Sequence, residues 1–345
     1  MSRISSSILK TDEPKSSSTA WRCRICESAG VFESYNVREH MFGYGDTFEY
    51  RRCVDCGCLQ IVDVPVDLSR YYGPGYYSMG ERPRHGWLVR ALIRARNRHL
   101  VGRLDPLGGW LSRRWYFLAL ASLRPLKLSR EMRILDVGCG GGELLQALQS
   151  VGFMHLLGVD PFIVDDIDLG GGVMVKRAEL TDLMLEAGGK RGAFDLVMFH
   201  HSLEHIESPA ITLRAACAAL VPGGRCVVRI PTVDSYAWRH YGVDWCALDA
   251  PRHLVLHSRR SIALLAESCG FEVEAIVDDS TAFQFWGSEQ YRRGVSLMRA
   301  GCHDILPAPG LFATEELRNF AQRAVEMNRQ SDGDQIVVYL RRTVS

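Results

Sequence analysis

The sequence predicts an α/β protein: an open, mostly parallel sheet with helices on both faces, preceded by a small metal-stapled module and a helical connector. Three observations predict it. Beyond residue 131, apolar runs alternate with helix-length segments, the pattern of parallel strands joined by crossovers. Near the N-terminus stand two CxxC pairs, Cys23-Arg-Ile-Cys26 and Cys53-Val-Asp-Cys56. Between these regions lies an arginine-rich stretch with helical apolar spacing. The expected division is a disordered tail over 1–20, a zinc-binding module over 21–80, a basic helical linker over 81–130 and an α/β domain over 131–345.

The tail holds seven serines and no apolar core of a signal peptide, which predicts a disordered segment of a cytoplasmic protein. In the module, each CxxC pair suits a tight turn presenting two thiolates. Two such turns, with 26 residues between them, supply a closed tetrahedral zinc site through Cys23, Cys26, Cys53 and Cys56. About fifty residues bury too little apolar surface to fold securely alone, and a structural zinc would add on the order of 10 kcal/mol. A closed four-thiolate site leaves no open position for catalysis. Cys58 reads as a half-buried strand residue that could substitute as a ligand, whereas Cys139, Cys217, Cys226, Cys246, Cys269 and Cys302 lack partner spacing and read as small core or loop residues.

From Arg82 to Arg130 the linker carries 12 Lys or Arg against one acid, Asp105, with Trp87, Trp110, Trp115, Tyr116 and Phe117 interleaved. Leu88, Leu92, Ala95 and His99 follow one helical face. Two readings stand side by side: a cationic surface meeting an anionic acceptor or a membrane-bound carrier, and a solvated face whose arginines pair with acids of the α/β domain. RNA fits less well, because aromatics at helical spacing pack cores more often than they stack bases.

The densest signal is Arg133-Ile-Leu-Asp-Val-Gly-Cys-Gly-Gly-Gly-Glu-Leu-Leu, which reads as strand, tight loop and helix. Gly138, Gly140, Gly141 and Gly142 would let the backbone take positive φ and approach a ligand. The apolar run Leu156-Leu-Gly-Val159 ends at Asp160, where an acid can accept hydrogen bonds from ribose hydroxyls. Dinucleotide sites use G-x-G-x-x-G, but here Glu143 replaces the third glycine, and an acid opposes a pyrophosphate. Asp136 adds expected negative charge, which suits a cationic ligand such as a sulfonium. At Leu135-Asp-Val-Gly-Cys-Gly-Gly-Gly142 the chain resembles class I S-adenosylmethionine-dependent methyltransferases. That resemblance implies a Rossmann-like sheet whose last strand is antiparallel. It also implies cofactor binding through Asp136, Gly138, Gly140, Gly142, Asp160, an adenine contact at Glu179, and His200.

Phe194-Asp-Leu-Val-Met-Phe199, Val221-Pro-Gly-Gly-Arg-Cys-Val-Val-Arg-Ile-Pro231, Phe271-Glu-Val-Glu-Ala-Ile-Val277 and Gln335-Ile-Val-Val-Tyr-Leu340 supply the later strands. His200, His201 and His205 crowd the end of the first of these, and any of them could remove an acceptor proton; Glu204-His205 resembles a pair found at this position in such enzymes. The segment Leu248-Asp-Ala-Pro-Arg-His-Leu-Val-Leu-His-Ser258 concentrates Asp249, Arg252 and His253. It reads either as an acceptor-binding wall, with Arg252 gripping a phosphate or carboxylate and His253 as a rival base, or as a salt-bridged connector with Ser258 capping the next helix. The two CxxC pairs, Tyr71-Tyr-Gly-Pro-Gly-Tyr-Tyr-Ser78 and the cofactor motif together resemble methyltransferases of sugars and polysaccharide-type clusters.

With 47% hydrophobic and 23% charged residues the chain can bury a sizeable core, and a formal charge of +1 argues against coating nucleic acid. No apolar run is long enough to span a bilayer. The leading expectation is methyl transfer to a small-molecule or carbohydrate acceptor. A lipid or quinone acceptor met at a membrane, and a non-catalytic zinc-module scaffold, are the alternatives.

Overall fold

The computed structural model describes residues 21–72, 86–186, 192–298 and 305–344. The tail over 1–20, the Tyr71-to-Ser78 phrase beyond Tyr72, Arg82, Arg84 and Cys302 lie outside the described residues.

The N-terminal strands β1 (Phe32–Arg38), β2 (Thr47–Cys53) and β3 (Leu59–Ile61) form an antiparallel sheet. Its fourth strand is β10 (Val255–Leu256), which pairs with β3 from far along the chain. Tyr50 and Ile61 share one buried cluster with Trp245, Leu254 and Phe285. The module expected over 21–80 is therefore not a separate packing unit. Three short strands bury too little on their own, and the sheet completes itself with residues beyond 230.

The linker is helical, as its spacing predicts: α1 (Trp87–Leu100), α2 (Pro106–Ser112) and α3 (Leu118–Ala121). Asp105 caps α2 by accepting from the Gly108 amide at 2.8 Å. Gly108 lies directly against α1, where a Cβ would come 2.1 Å from the Ala95 carbonyl oxygen, so the two helices pack backbone to backbone. Ala95 and Leu100 are buried, but Leu88, assigned to the same apolar face, is exposed because the first turns of α1 project beyond the core.

The second sheet has eight strands. In chain order they are β4 (Ile134–Val137), β5 (Leu156–Val159), β6 (Ile167–Asp168), β7 (Met174–Lys176), β8 (Phe194–His200), β9 (Leu220–Pro231), β11 (Phe271–Asp278) and β12 (Gln335–Arg342). In space the order is β11-β12-β9-β8-β4-β5-β7-β6. The five central strands β9, β8, β4, β5 and β7 run parallel, and β12 runs antiparallel between β9 and β11, as the resemblance implies.

Side chains alternate across the pleat. Leu135, Val197 and Val228 face one cluster, covered by α5 (Leu180–Glu186), α6 (Pro209–Ala219) and α8 (Arg259–Ser268). Ile134, Leu196 and Val227 face the other, covered by α1, α3 and α4 (Glu143–Ser150). Ser258 caps α8 in a capping box with Ser261. The helices α7 (Tyr236–Tyr241), α9 (Phe283–Arg292) and α10 (Thr314–Arg329) close the cluster shared with the N-terminal sheet. Among the described residues no helix is long and apolar enough to cross a membrane.

Candidate functional site

The carboxyl ends of β4, β5, β7 and β8 open on one cavity of about 920 Å³. The glycine loop forms part of its wall. Gly138 has φ of 71°, and a Cβ there would come 2.4 Å from the Ser202 Cβ, so only glycine lets β4 turn beneath the β8 loop. Asp160 fixes the loop from the next strand: its Oδ2 accepts from Gly140 N at 2.8 Å and its Oδ1 from Phe162 N at 2.9 Å. Each oxygen keeps lone-pair capacity for a further donor. Glu143, Asp160 and Glu179 all line the cavity, as does Cys139, which spacing alone places among the small core or loop residues.

Asp136 departs from expectation. It is buried below the loop and outside the cavity lining, and burial together with the neighbouring Asp160 pushes its carboxyl up to about 8. At neutral pH it is mostly protonated and is not a fixed charge for a cation.

The three clustered histidines differ in what their nitrogens meet. His201 takes φ of 52°, its Nδ1 lies 3.2 Å from Glu204 Oε1, and its Nε2 faces an Arg229 Nη1 donor. Both nitrogens are occupied, so the role of base expected of His201 is replaced by that of a bridge. Arg229 itself is held by Asp279 Oδ2 and Gln335 Oε1 at 2.5 and 2.7 Å.

His200 lines the cavity with neither ring nitrogen partnered, and burial, then Arg229, drives its pKa down to about 3. His205 also lines the cavity. Its Nδ1 lies 2.9 Å from the Arg252 carbonyl, which can only accept, so Nδ1 carries the proton and Nε2 keeps a lone pair. Burial, then His253, lowers it to about 4. Tyr72 adds its hydroxyl 3.2 Å from the same Nδ1 and stacks on Phe162 at 5.4 Å, so the short turn Ser69–Tyr72 that follows the N-terminal sheet reaches across to the cofactor-side loop.

Asp249, Arg252 and His253 stand behind this wall rather than in it. Arg252 is fully buried; it donates to Asp249 at 2.6–3.0 Å, to Glu39 Oε1 at 3.0 Å and to the Tyr71 carbonyl at 3.1 Å. Burial alone would lower its pKa, but the two carboxylates outweigh that and raise it. The expected grip on an acceptor is thus corrected: the guanidinium is spent inside the protein. His253 donates from Nδ1 to Ala247 O at 2.8 Å and stacks edge-on against His205 at 4.7 Å, while its own carbonyl accepts from Tyr50 Oη at 2.8 Å.

Glu204 is fully buried. Burial would raise its carboxyl, but the hydrogen bond from His201 and the nearby His205 and His253 hold it at about 2, with Oε2 unpartnered. Glu204, His205 and His253 offer ligand atoms within 4.8 Å of one another, a set suited to a proton or a divalent cation. Sequence reasoning passed over Glu39 and Arg229, since no local spacing marks them, and it gave Tyr72 no role beyond its place in the Tyr71-to-Ser78 phrase.

Cys23, Cys26, Cys53 and Cys56 also offer sulfurs within 4.8 Å of one another, with Cys23 to Cys56 at 3.5 Å and Cys26 to Cys53 at 3.6 Å. These spacings are far too long for disulfides. They lie close to the roughly 3.8 Å edge of a tetrahedron with zinc–sulfur bonds of about 2.3 Å. Gln60 Nε2 supports the cluster by donating to Cys23 Sγ at 3.0 Å, and Cys58 is buried outside the set.

A family profile described as a methyltransferase domain matches residues 111–276. A ubiquinone biosynthesis O-methyltransferase of Paraburkholderia xenovorans is 30% identical over 162 residues, covering 41% of this chain and 69% of that protein. The chain belongs to the S-adenosylmethionine-dependent methyltransferases. A Burkholderia pseudomallei protein of the same name is 35% identical over 133 residues, 33% of this methyltransferase and 56% of that protein. The methyltransferase thus spans about half to two thirds of the length of these relatives. An S-adenosylmethionine-dependent methyltransferase structure from Mesorhizobium loti aligns over 66% of the chain and 100% of its own, at 20% identity and a TM-score of 0.38.

Proposed function

We propose that this methyltransferase methylates a hydroxyl oxygen of a largely apolar small molecule, with His205 accepting the hydroxyl proton. One observation carries the reading: His205 stands in the cavity with Nδ1 tied to a backbone carbonyl and Nε2 free. S-adenosylmethionine, when bound, supplies an electrophilic methyl on a cationic sulfur. Gly138, Gly140, Asp160 and Glu179 would hold it, Asp160 through its remaining lone pairs, whereas Gly142 lies outside the cavity lining against Leu169 and Val175. His205 would take the proton at Nε2 as the acceptor oxygen turns its lone pair on the methyl, and the unpartnered Oε2 of Glu204 would stabilise the resulting imidazolium. His200, neutral and unpaired, would orient the acceptor by a hydrogen bond.

The reading departs from a sugar-nucleotide acceptor on a charge argument. Among the described lining residues the guanidinium is Arg229, already committed to Asp279, Gln335 and His201, and Arg252 is sealed behind the wall. A diphosphate would enter a cavity lined by Glu143, Asp160 and Glu179 with no free cation to meet it. The names of the curated relatives, O-methyltransferases of quinone biosynthesis, agree with an oxygen acceptor. In this reading the Cys23, Cys26, Cys53 and Cys56 thiolates hold a structural zinc that fixes the N-terminal sheet.

His205→Gln should lower kcat about 10²- to 10⁴-fold on a hydroxylated aromatic acceptor while S-adenosylmethionine affinity stays within twofold. Wild-type turnover in that variant would remove His205 as base. A second reading rests on the unpartnered Glu204 Oε2: a divalent cation on Glu204, His205 and His253 would activate the hydroxyl instead. Turnover that is lost on mild chelation and restored by a divalent transition metal such as manganese or iron(II), with the cysteine-bound zinc still present by mass spectrometry, selects it.

A further inference from the structure

The α1–α2 hairpin and the segment that leads from it to the cavity carry a run of exposed aromatic and apolar side chains. Trp87, Trp110, Trp115 and Tyr116 are 71%, 65%, 49% and 62% exposed. Leu104 and Leu107 are exposed beside them. These belong to the α1–α2 hairpin and the segment that follows it, and the chain passes directly from Trp115 and Tyr116 into Phe117, Leu118 and Ala119, which line the cavity. Two other elements add to the same mouth: Phe162 and Ile211 line the cavity and are also exposed. Val66, fully exposed, stands between the lining residues Val64 and Leu68.

The charge on this hairpin is one-sided. Arg90, Arg94, Arg98, Arg113 and Arg114 are exposed, and the ion pair found there is Arg98 with Asp105. Among the described residues Arg90, Arg94, Arg113 and Arg114 form no ion pair, so the pairing with acids of the α/β domain is not made by these four. Unpaired arginines interleaved with exposed tryptophan and tyrosine match the requirements of a bilayer interface, where guanidinium groups meet anionic headgroups and amphipathic rings sit at headgroup depth.

We propose that the α1–α2 hairpin and the segment after it, through Trp87, Trp110, Trp115, Arg113 and Arg114, dock on an anionic lipid bilayer, turning the cavity mouth toward the membrane so that a lipid-embedded acceptor enters from it. The proposal deepens the hydroxyl-methylation reading and rests on it for the acceptor alone; the docking surface stands on its own residues. It also gives the apolar rim a use, since a tail that stays in the membrane passes along Phe162 and Ile211 while the reacting end reaches His205.

The test uses the full chain. In flotation assays the protein should rise with phosphatidylcholine vesicles containing phosphatidylglycerol and stay in solution with phosphatidylcholine alone, and raised salt should weaken binding. Tryptophan emission should shift to the blue and be quenched by brominated lipid. Arg113→Ala with Arg114→Ala should weaken partitioning about 20- to 30-fold, from about 1 kcal/mol per basic residue. Trp110→Ala with Trp115→Ala should abolish quenching, and in both variants calorimetric affinity for S-adenosylmethionine should be unchanged. Failure to float with anionic vesicles overturns the proposal, as does a stable dimer in light scattering whose tryptophans are shielded without lipid. Vesicle binding without S-adenosylhomocysteine production from any hydroxyl acceptor would instead count against the methylation reading and leave the docking surface standing.

Discussion

The two walls of the cavity are assembled in different ways. On the cofactor side, Gly140, Asp160 and Phe162 are tied by hydrogen bonds spanning 20 residues or fewer. On the acceptor side the contacts are remote: Tyr72 meets His205 across 133 residues, Tyr50 meets the His253 carbonyl across 203, and Glu39 meets Arg252 across 213. The first wall is local chemistry; the second exists only because the N-terminal sheet is fused to the α/β domain. Damage to the N-terminal sheet should therefore disable the acceptor wall and spare cofactor binding.

The largest expected effect tests that split directly. If Cys23, Cys26, Cys53 and Cys56 hold zinc as proposed, strong chelation or Cys23→Ser should withdraw a contribution on the order of 10 kcal/mol and unfold the N-terminal sheet. Limited proteolysis should then cut within residues 21–72, and turnover should vanish while calorimetry still finds S-adenosylmethionine binding. Intact turnover in metal-free protein would dissolve the contrast.

Next in size is Arg252→Ala. It leaves Asp249 and Glu39 buried without their cation, a loss of about 3–5 kcal/mol in urea unfolding. A raised acceptor KM at unchanged stability would instead return Arg252 to the role of grip. On the cofactor side, Asp160→Ala should weaken S-adenosylmethionine by about 1–3 kcal/mol in calorimetry, because loop amides and ligand hydroxyls lose an acceptor. Unchanged affinity would remove Asp160 from the cofactor site.

Taken per pH unit and per histidine, the smallest effect is in pH. Burial depresses His205 and His257 to about 4 and His200 to about 3, below the roughly 6.5 of an unfolded histidine. Stability is then full above about pH 6.5 and drains as pH falls toward 4, by up to about 1.4 kcal/mol per pH unit for each histidine, because the unfolded chain takes the protons. Urea unfolding at successive pH values reads this slope. The acidic limb of kcat should lie near pH 4, where His205 protonates in the folded enzyme. A limb near 6.5 would point to a solvated base elsewhere.

The same contrast explains what the sequence discloses. The glycine loop, the Asp160 strand end, the α8 cap at Ser258 and the alternating strands are legible because spacing of a few residues fixes them. So is the grouping of four cysteines, since two CxxC turns need little more than to meet. The acceptor wall is not legible, because nothing local couples Glu39 or Tyr72 to residues beyond 200, and β10 is a two-residue strand too short for any periodicity. Position and state also part company. Asp136 and Arg252 stand where motif reading puts them, yet burial makes the first mostly neutral and spends the second internally, and burial is a property of the fold rather than of the spacing.

The borrowed strand β10 has a consequence for biosynthesis. At translation rates of about 5–20 residues per second, the ribosome needs roughly 10–40 s to pass from the strands of the N-terminal sheet to the segment that completes it. For that interval β3 is a bare edge and the cysteine pairs lack their lid, open to oxidants and to the edges of other nascent chains. Early metal capture would then act as a chaperone in miniature, holding two turns together until residue 255 arrives. With zinc on the four thiolates as proposed, cells short of zinc should lose this protein during synthesis more than after it.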